Sequence, residues 1–293
     1  MIWLFIVILA HLFYALVFII DKYILSQPLP HPMVYAFYVG ILGIFVLVLI
    51  PFGFHFLSAW EIILVLLAGL ADLVASILFY KALNLDEVSR IIPFSGSFLA
   101  IFILIISALT IGERLTTHQY LAFALLVSGS LLISLKRKIL FEKPFSLALL
   151  SSFLSAIFWV ITKYIFIKTS FINGLIWVRT GAALMCLPLL IPSETRKLIF
   201  KKTKDLKIKT VKFFISDRLL SILAGFLMYL AVFLGSVTLV NSLKGLQYVF
   251  VLILALLFFR KIPDLREEFS EKIIIQKIIA IILIGLGLAF LIV

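Results

Sequence analysis

Residues 60–81 read Trp60-Glu61-Ile62-Ile63-Leu64-Val65-Leu66-Leu67-Ala68-Gly69-Leu70-Ala71-Asp72-Leu73-Val74-Ala75-Ser76-Ile77-Leu78-Phe79-Tyr80-Lys81. Between the flanking Glu61 and Lys81, Asp72 is the only charged residue. A helix rises about 1.5 Å per residue, so about 20 apolar residues cross a hydrocarbon core of about 30 Å. This stretch has that length, and in lipid only a helix satisfies its backbone without partners. It reads as a transmembrane helix carrying one acid near the membrane midplane.

Nine further runs of the same kind flank it, over 2–20, 33–50, 88–109, 120–135, 145–166, 171–191, 219–240, 243–259 and 273–293. The chain of 293 residues is 64% hydrophobic and only 14% charged, against about 25% charged in soluble domains. Because the apolar excess is spread over the whole chain, a signal peptide does not account for it. The expected fold is all-α, a polytopic membrane protein of ten spans. One cysteine, Cys186, rules out an intrachain disulfide and argues against a cysteine-rich metal site. The four histidines form no ligand spacing, and no glycine loop followed by Lys-Ser or Lys-Thr provides for a nucleotide. No enzyme, metal or cofactor is expected.

The net charge of +12 is not a nucleic-acid signal, because most of it lies in short connections. The odd-numbered connections and their adjoining ends hold 21 of the 26 Lys and Arg residues. The opposite side holds only Arg114, Lys163, Lys168, Arg179 and Lys244. The positive-inside rule places the basic side in the cytoplasm and both chain ends outside. The basic connection 192–217 also offers a surface for anionic lipid headgroups.

A weak internal repeat runs at an offset of 141: Lys22-Tyr23-Ile24 matches Lys163-Tyr164-Ile165, and Gly40 matches Gly181. In the last span Gly285 stands where the first half has Gly129. Five spans per half is an odd number, so halves 1–143 and 144–293 insert in opposite senses. Such inverted repeats suit a carrier whose two packings exchange access to a central cavity.

Around the fourth span the sequence reads Ala82-Leu83-Asn84, then Ser89-Arg90-Ile91-Ile92-Pro93, and closes with Gly112-Glu113-Arg114-Leu115-Thr116. This pattern resembles the EamA-type transporters of the drug/metabolite transporter superfamily. The resemblance implies a permease or exporter of small metabolites, and marks Pro93, Gly112, Glu113 and Arg114 as structural motif residues. It also implies cytoplasmic termini, against the charge count, which is preferred here. Gly112 suits a helix end that needs positive φ. Glu113 then faces the negative end of the helix dipole and requires a compensating contact.

An ionisable side chain within a span marks a functional site by default. Asp72 is therefore the first candidate for a substrate contact or proton carrier, and Arg179 for an anionic substrate group or a partner to Asp72. Lys244 and Gln247 open the ninth span. Tyr14, Tyr35, Tyr38, Trp159, Trp177, Tyr229 and Tyr248 are candidates to line an apolar pocket with polar handles. The expected function is alternating-access transport of an amino-acid-like or amphipathic small molecule, with proton coupling through Asp72 as one option. A flippase for a polyprenyl-phosphate-linked molecule and a noncatalytic membrane assembly subunit are the alternatives. Oligomeric state is left open.

Overall fold

The computed structural model describes residues 2–24, 31–86, 88–134, 142–200, 208–258 and 271–292. The basic cluster Lys136-Arg137-Lys138, the pair Lys201-Lys202 with Lys204, and the stretch 260–268 lie outside the described residues, as do the side chains of Lys22 and Tyr35.

Every described element is helical. In chain order they are α1 (Ile2–Ile24), α2 (Pro32–Ile41) continued by a 3-10 helix (Leu42–Phe52), α3 (Ala59–Leu83), α4 (Val88–Thr110), α5 (Thr117–Ser134), α6 (Lys143–Lys168) and α7 (Phe171–Cys186). After a short 3-10 turn come α8 (Ser193–Ile199), α9 (Ile208–Leu234), α10 (Val237–Ser242), α11 (Lys244–Phe258) and α12 (Glu271–Ile292). Nine stretches among the described residues are long and apolar enough to cross a membrane, which makes this an all-α polytopic membrane protein.

Local chemistry fixes where the helices start. Ser58 and Glu61 form a capping box on α3, with the Ser58 N–H donating to the Glu61 carboxylate at 2.8 Å. Ser170 caps α7 by accepting from the Asn173 N–H. The second span is not α-helical throughout, because it tightens into a 3-10 helix that contains Pro51 and ends at Gly53, with φ of 132°.

The eighth span also departs from expectation. Its helix stops at Leu234, not at residue 240, although the hydropathy continues unbroken. Ser236 accepts from the Leu239 N–H at 3.0 Å and starts α10, and residues 237–242 run on into α11. The remaining apolar part of α9, Arg218–Leu234, is shorter than the nine spans, and the next apolar stretch long enough to cross begins at Val237.

As lipid allows, many large apolar side chains cover the outer surface, while small, polar and large apolar residues together fill the interior. On α3, Val65, Ala68, Ala71 and Ala75 are buried, while Ile63, Leu67, Leu70 and Val74 face outward. The main packed pairs are α3 with α6 and α7, α1 with α9 and α11, α4 with α5 and α6, and α5 with α12.

Small residues set the closest crossings. A Cβ on Gly129 would come within 2.9 Å of the Ala280 carbonyl and 2.8 Å of Ile284. One on Gly287 would come within 3.0 Å of the Ala122 carbonyl and 2.8 Å of Leu126. In each helix the contacted residues lie seven and three positions before its own glycine, so the α5–α12 contact is reciprocal. Gly285 has nothing within 4 Å. The glycine that answers Gly129 is therefore Gly287, because residues two apart on a helix point in widely different directions.

Candidate functional site

The polar interior begins at the α3–α7 crossing. A Cβ on Gly69 would fall 2.5 Å from the Gly181 carbonyl, and one on Gly181 would fall 2.9 Å from the Val65 carbonyl. Two side-chain-free positions thus let the helices touch at backbone distance. Asp72 follows Gly69 by one turn, and Arg179 precedes Gly181 by two residues. The two lie within electrostatic reach of each other, with Tyr14 and Tyr229 in the same group. Asp72 and Arg179 make no direct ion pair within 4.0 Å.

Arg179 donates from Nη1 to the Tyr229 hydroxyl at 3.4 Å, and its guanidinium carbon lies 5.9 Å from that ring's centre. The 3-10 helix crosses just behind it, where a Cβ on Gly43 would sit 3.1 Å from Nη2. Tyr229 in turn stacks at a tilt on Trp159, with ring centres 5.3 Å apart.

One turn beyond Asp72, on the same face of α3, Ser76 opens onto a cavity of about 110 Å³. Ser76, Ser95, Ser151, Ser152 and Ser155 line it, together with Ala75, Leu99, Phe79, Tyr80 and Lys244. Ser151 donates to the Ala75 carbonyl at 2.8 Å, and Ser152 to the Ser95 carbonyl at 3.0 Å and the Ala148 carbonyl at 2.8 Å. The Ser95 hydroxyl is buried and makes no hydrogen bond. Lys244 is the one cation in the lining. A Cβ on Gly96 would stand 3.1 Å from its Cδ, so the bare helix at Gly96 gives the lysine stem room to lie along α4. Among the described residues no carboxylate is within 4.0 Å of Lys244. His11 is fully buried near Lys244 and Gln247, with neither ring nitrogen in a hydrogen bond of ordinary geometry.

The motif residues sit at the end of α4, away from the cavity lining. Gly112 has φ of 68°. Glu113 accepts the Val237 N–H at 3.0 Å and the Thr238 hydroxyl at 2.5 Å, and Thr238 also meets Ser107 at 3.1 Å. Lys163 closes the other side of the same junction, donating to the carbonyls of Val232, Phe233 and Gly235 at 2.9, 3.2 and 2.7 Å. These ammonium hydrogens reach the last carbonyls of α9, which have no partner within their own helix. Pro93 is buried inside α4, with its carbonyl taken by the Ser97 hydroxyl at 2.9 Å, and Arg114 is exposed.

Of the residues singled out by sequence, Asp72, Arg179, Tyr14, Tyr229 and Trp159 come together, Lys244 lines the cavity and Gln247 lies next to it by His11. The Tyr248 hydroxyl is buried and unpartnered, although the residue as a whole is only half-buried. Two positions differ from expectation. Tyr38 is 46% exposed and donates to the Ile199 carbonyl at 2.9 Å, so it tethers α8 rather than lining a pocket. Trp177 donates from Nε1 to the His55 carbonyl at 3.0 Å and stacks on Phe54, so it holds the loop before α3. Asn173 and Thr169 complete that latch through His55. The serines and His11 were not anticipated. The only sequence signal for them is the run Ser151-Ser152 with Ser155 one turn on, within an otherwise apolar helix.

Residues 1–135 match the EamA-like transporter family. Comparison with curated proteins finds no match. Among solved structures, one crystal structure superimposes with a TM-score of 0.68 at 15% identity, covering 98% of this chain and 97% of that one. That likeness extends the shared fold over nearly the whole chain. Residues 1–135 are thus similar to a family of membrane transporters, and the whole chain has an all-α, multi-span fold. Among the described residues no cluster of His, Cys, Asp and Glu could hold a metal ion.

Proposed function

We propose that the protein is a secondary transporter that moves a small amino-acid-like or amphipathic metabolite by alternating access between two inverted five-helix halves, 1–143 and 144–293. The observation that carries this reading is a serine-lined cavity with a lysine inside an apolar bundle. Polar groups at that depth are costly unless they serve a ligand path or satisfy one another.

The helix pairing supports the inverted halves. Exchanging α1 with α6, α3 with α9 and α4 with α11 converts the α3–α6 pair into α9–α1, and α4–α6 into α11–α1. The α5–α12 pair maps onto itself, in keeping with the reciprocal Gly129 and Gly287 contacts. In this reading α9 supplies the tenth crossing, since 17 apolar residues rise about 25 Å. Asp72, one turn from the cavity and within reach of Arg179, is the residue placed to couple substrate binding to a proton. The basic odd-numbered connections face the cytoplasm.

The test is reconstitution of the purified chain into tight liposomes, with mass-spectrometric detection of what crosses from a metabolite mixture, with and without a proton gradient. Selective movement of a few small solutes is expected. Folded protein that moves none of them defeats the proposal.

A further inference from the structure

We infer that the cavity at Lys244 is a subsite for a small monocarboxylate, with the carboxylate on the lysine and its neighbouring hydroxyl group among the serines. This inference rests on the transporter reading above and narrows it to a substrate class.

Charge decides the sign of the ligand. Lys244 lines the cavity, every other lining residue is formally uncharged, and no described carboxylate lies within 4.0 Å of it. A half-buried cation without a counter-ion carries a desolvation cost, and an anion from solution offsets it. One cation also decides the valence: a monoanion is neutralised, whereas a dianion leaves a net negative charge in an apolar bundle. Arg179 does not change this balance at the cavity, because it is not among the lining residues and is engaged with Tyr229.

The wall chemistry decides the remainder of the molecule. Ser95 lines the cavity, and its hydroxyl is buried without a hydrogen bond, so a small rotation makes it available as donor and acceptor. Ser151 and Ser152 spend their hydrogens on backbone carbonyls, which leaves their oxygens as acceptors. The set therefore suits a ligand carrying an O–H near its carboxylate.

Volume decides the size. A water needs roughly 10–15 Å³ of such space, so about 110 Å³ holds on the order of seven to ten water-sized groups. That space accommodates a three- or four-carbon acid.

The experiment uses the full chain in detergent and reads thermal stabilisation by L-lactate, D-glycerate and glycolate against L-lactamide, succinate and chloride. The three monocarboxylates are expected to stabilise the wild type, with lactamide, succinate and chloride weaker by at least about tenfold in apparent affinity. Lys244→Met is expected to weaken monocarboxylate binding about thirtyfold or more. Ser95→Ala, which keeps the lysine and removes one small group, is expected to weaken glycerate and lactate while sparing the fold. Lactamide or chloride matching lactate in the wild type overturns the inference, whatever the variants do, and so does undiminished lactate binding in folded Lys244→Met. Liposome flux separates the two levels. Transport of other solutes without monocarboxylate binding sinks this inference alone, whereas Lys244-dependent lactate binding without flux of any solute upholds it and sinks the transporter reading.

Discussion

Glu113 accepts the Val237 N–H at 3.0 Å while Lys163 donates to the Gly235 carbonyl at 2.7 Å, so an acid from the α4–α5 turn and a base from α6 hold the two sides of one helix break. The break leaves carbonyls of α9 and N–H groups of α10 without partners inside their own helices, and each side chain carries the charge that the adjacent helix end attracts. The break in turn sets the register of α10, and with it the depth at which Lys244 enters the bundle on α11.

Removing either half of this clasp is expected to destabilise the protein. Glu113→Gln keeps the shape but loses the charge, and Lys163→Met leaves three carbonyls unpaired. Each is expected to cost about 1–3 kcal/mol, with the double variant costing less than the two single losses combined if the junction fails as one unit. Chemical unfolding of the purified protein, followed by tryptophan fluorescence, reads this. Two single variants as stable as the wild type contradict the clasp.

The three glycines of the α5–α12 region separate packing from helix propensity. At Gly129 and Gly287 an added Cβ meets carbonyl oxygens at 2.9 and 3.0 Å, so Ala at either position must push the helices apart. Overpacking of this kind costs about 1–3 kcal/mol. At Gly285 nothing lies within 4 Å, and alanine there is expected to be neutral or to stabilise by up to about 1 kcal/mol. The same unfolding assay ranks the three variants. A Gly285→Ala loss equal to the other two points away from the reciprocal contact.

Asp72 and Arg179 lie within electrostatic reach of each other without a direct ion pair, and Tyr229 accepts a hydrogen bond from the guanidinium. A double-mutant cycle with Asp72→Asn and Arg179→Gln is expected to show coupling of about 0.5–3 kcal/mol in stability. Under the proposed function Asp72→Asn also removes the response of liposome flux to a proton gradient while leaving some downhill movement. Gradient-driven flux that survives in Asp72→Asn excludes this carboxylate as the coupling group. Additive stability losses exclude the pair as an interacting unit.

What the sequence discloses depends on how expensive each group is in lipid. Uninterrupted apolar runs reveal spans, and a charge such as Asp72, Arg179 or Lys244 inside one reveals a polar interior, because lipid tolerates few alternatives. Serine carries no such signal. Its hydroxyl can bond to its own helix, as Ser152 does to the Ala148 carbonyl, so a serine in a span implies no cavity. Hydropathy also runs straight through residues 235–240, and only the capping geometry of Ser236 shows where α9 ends. Aromatic residues are ambiguous for a related reason. Trp159 and Trp177 have the same apolar body and N–H donor, yet one stacks on Tyr229 and the other secures His55. The reciprocal glycine contact is likewise hidden from spacing: Gly129 and Gly287 lie 158 residues apart, against 141 for Lys22 and Lys163, so no single offset picks out Gly287.

The membrane orientation offers a test that involves no substrate. Under the ten-span reading proposed above, the odd-numbered connections share one side of the membrane. That side holds most of the 26 basic residues, and basic loops of this length are retained in the cytoplasm during insertion. Reporter domains that are active on only one side of the membrane, fused in turn to each chain end and into the connection after α5, are expected to place both ends outside and the connection inside. Introducing lysines into the loop between Gly53 and Ser58 is expected to weaken that preference, since it raises the positive charge on the opposite side. Two cytoplasmic ends in the unmodified chain overturn the charge-based orientation, while the helix pairing and the Lys244 cavity stand as described.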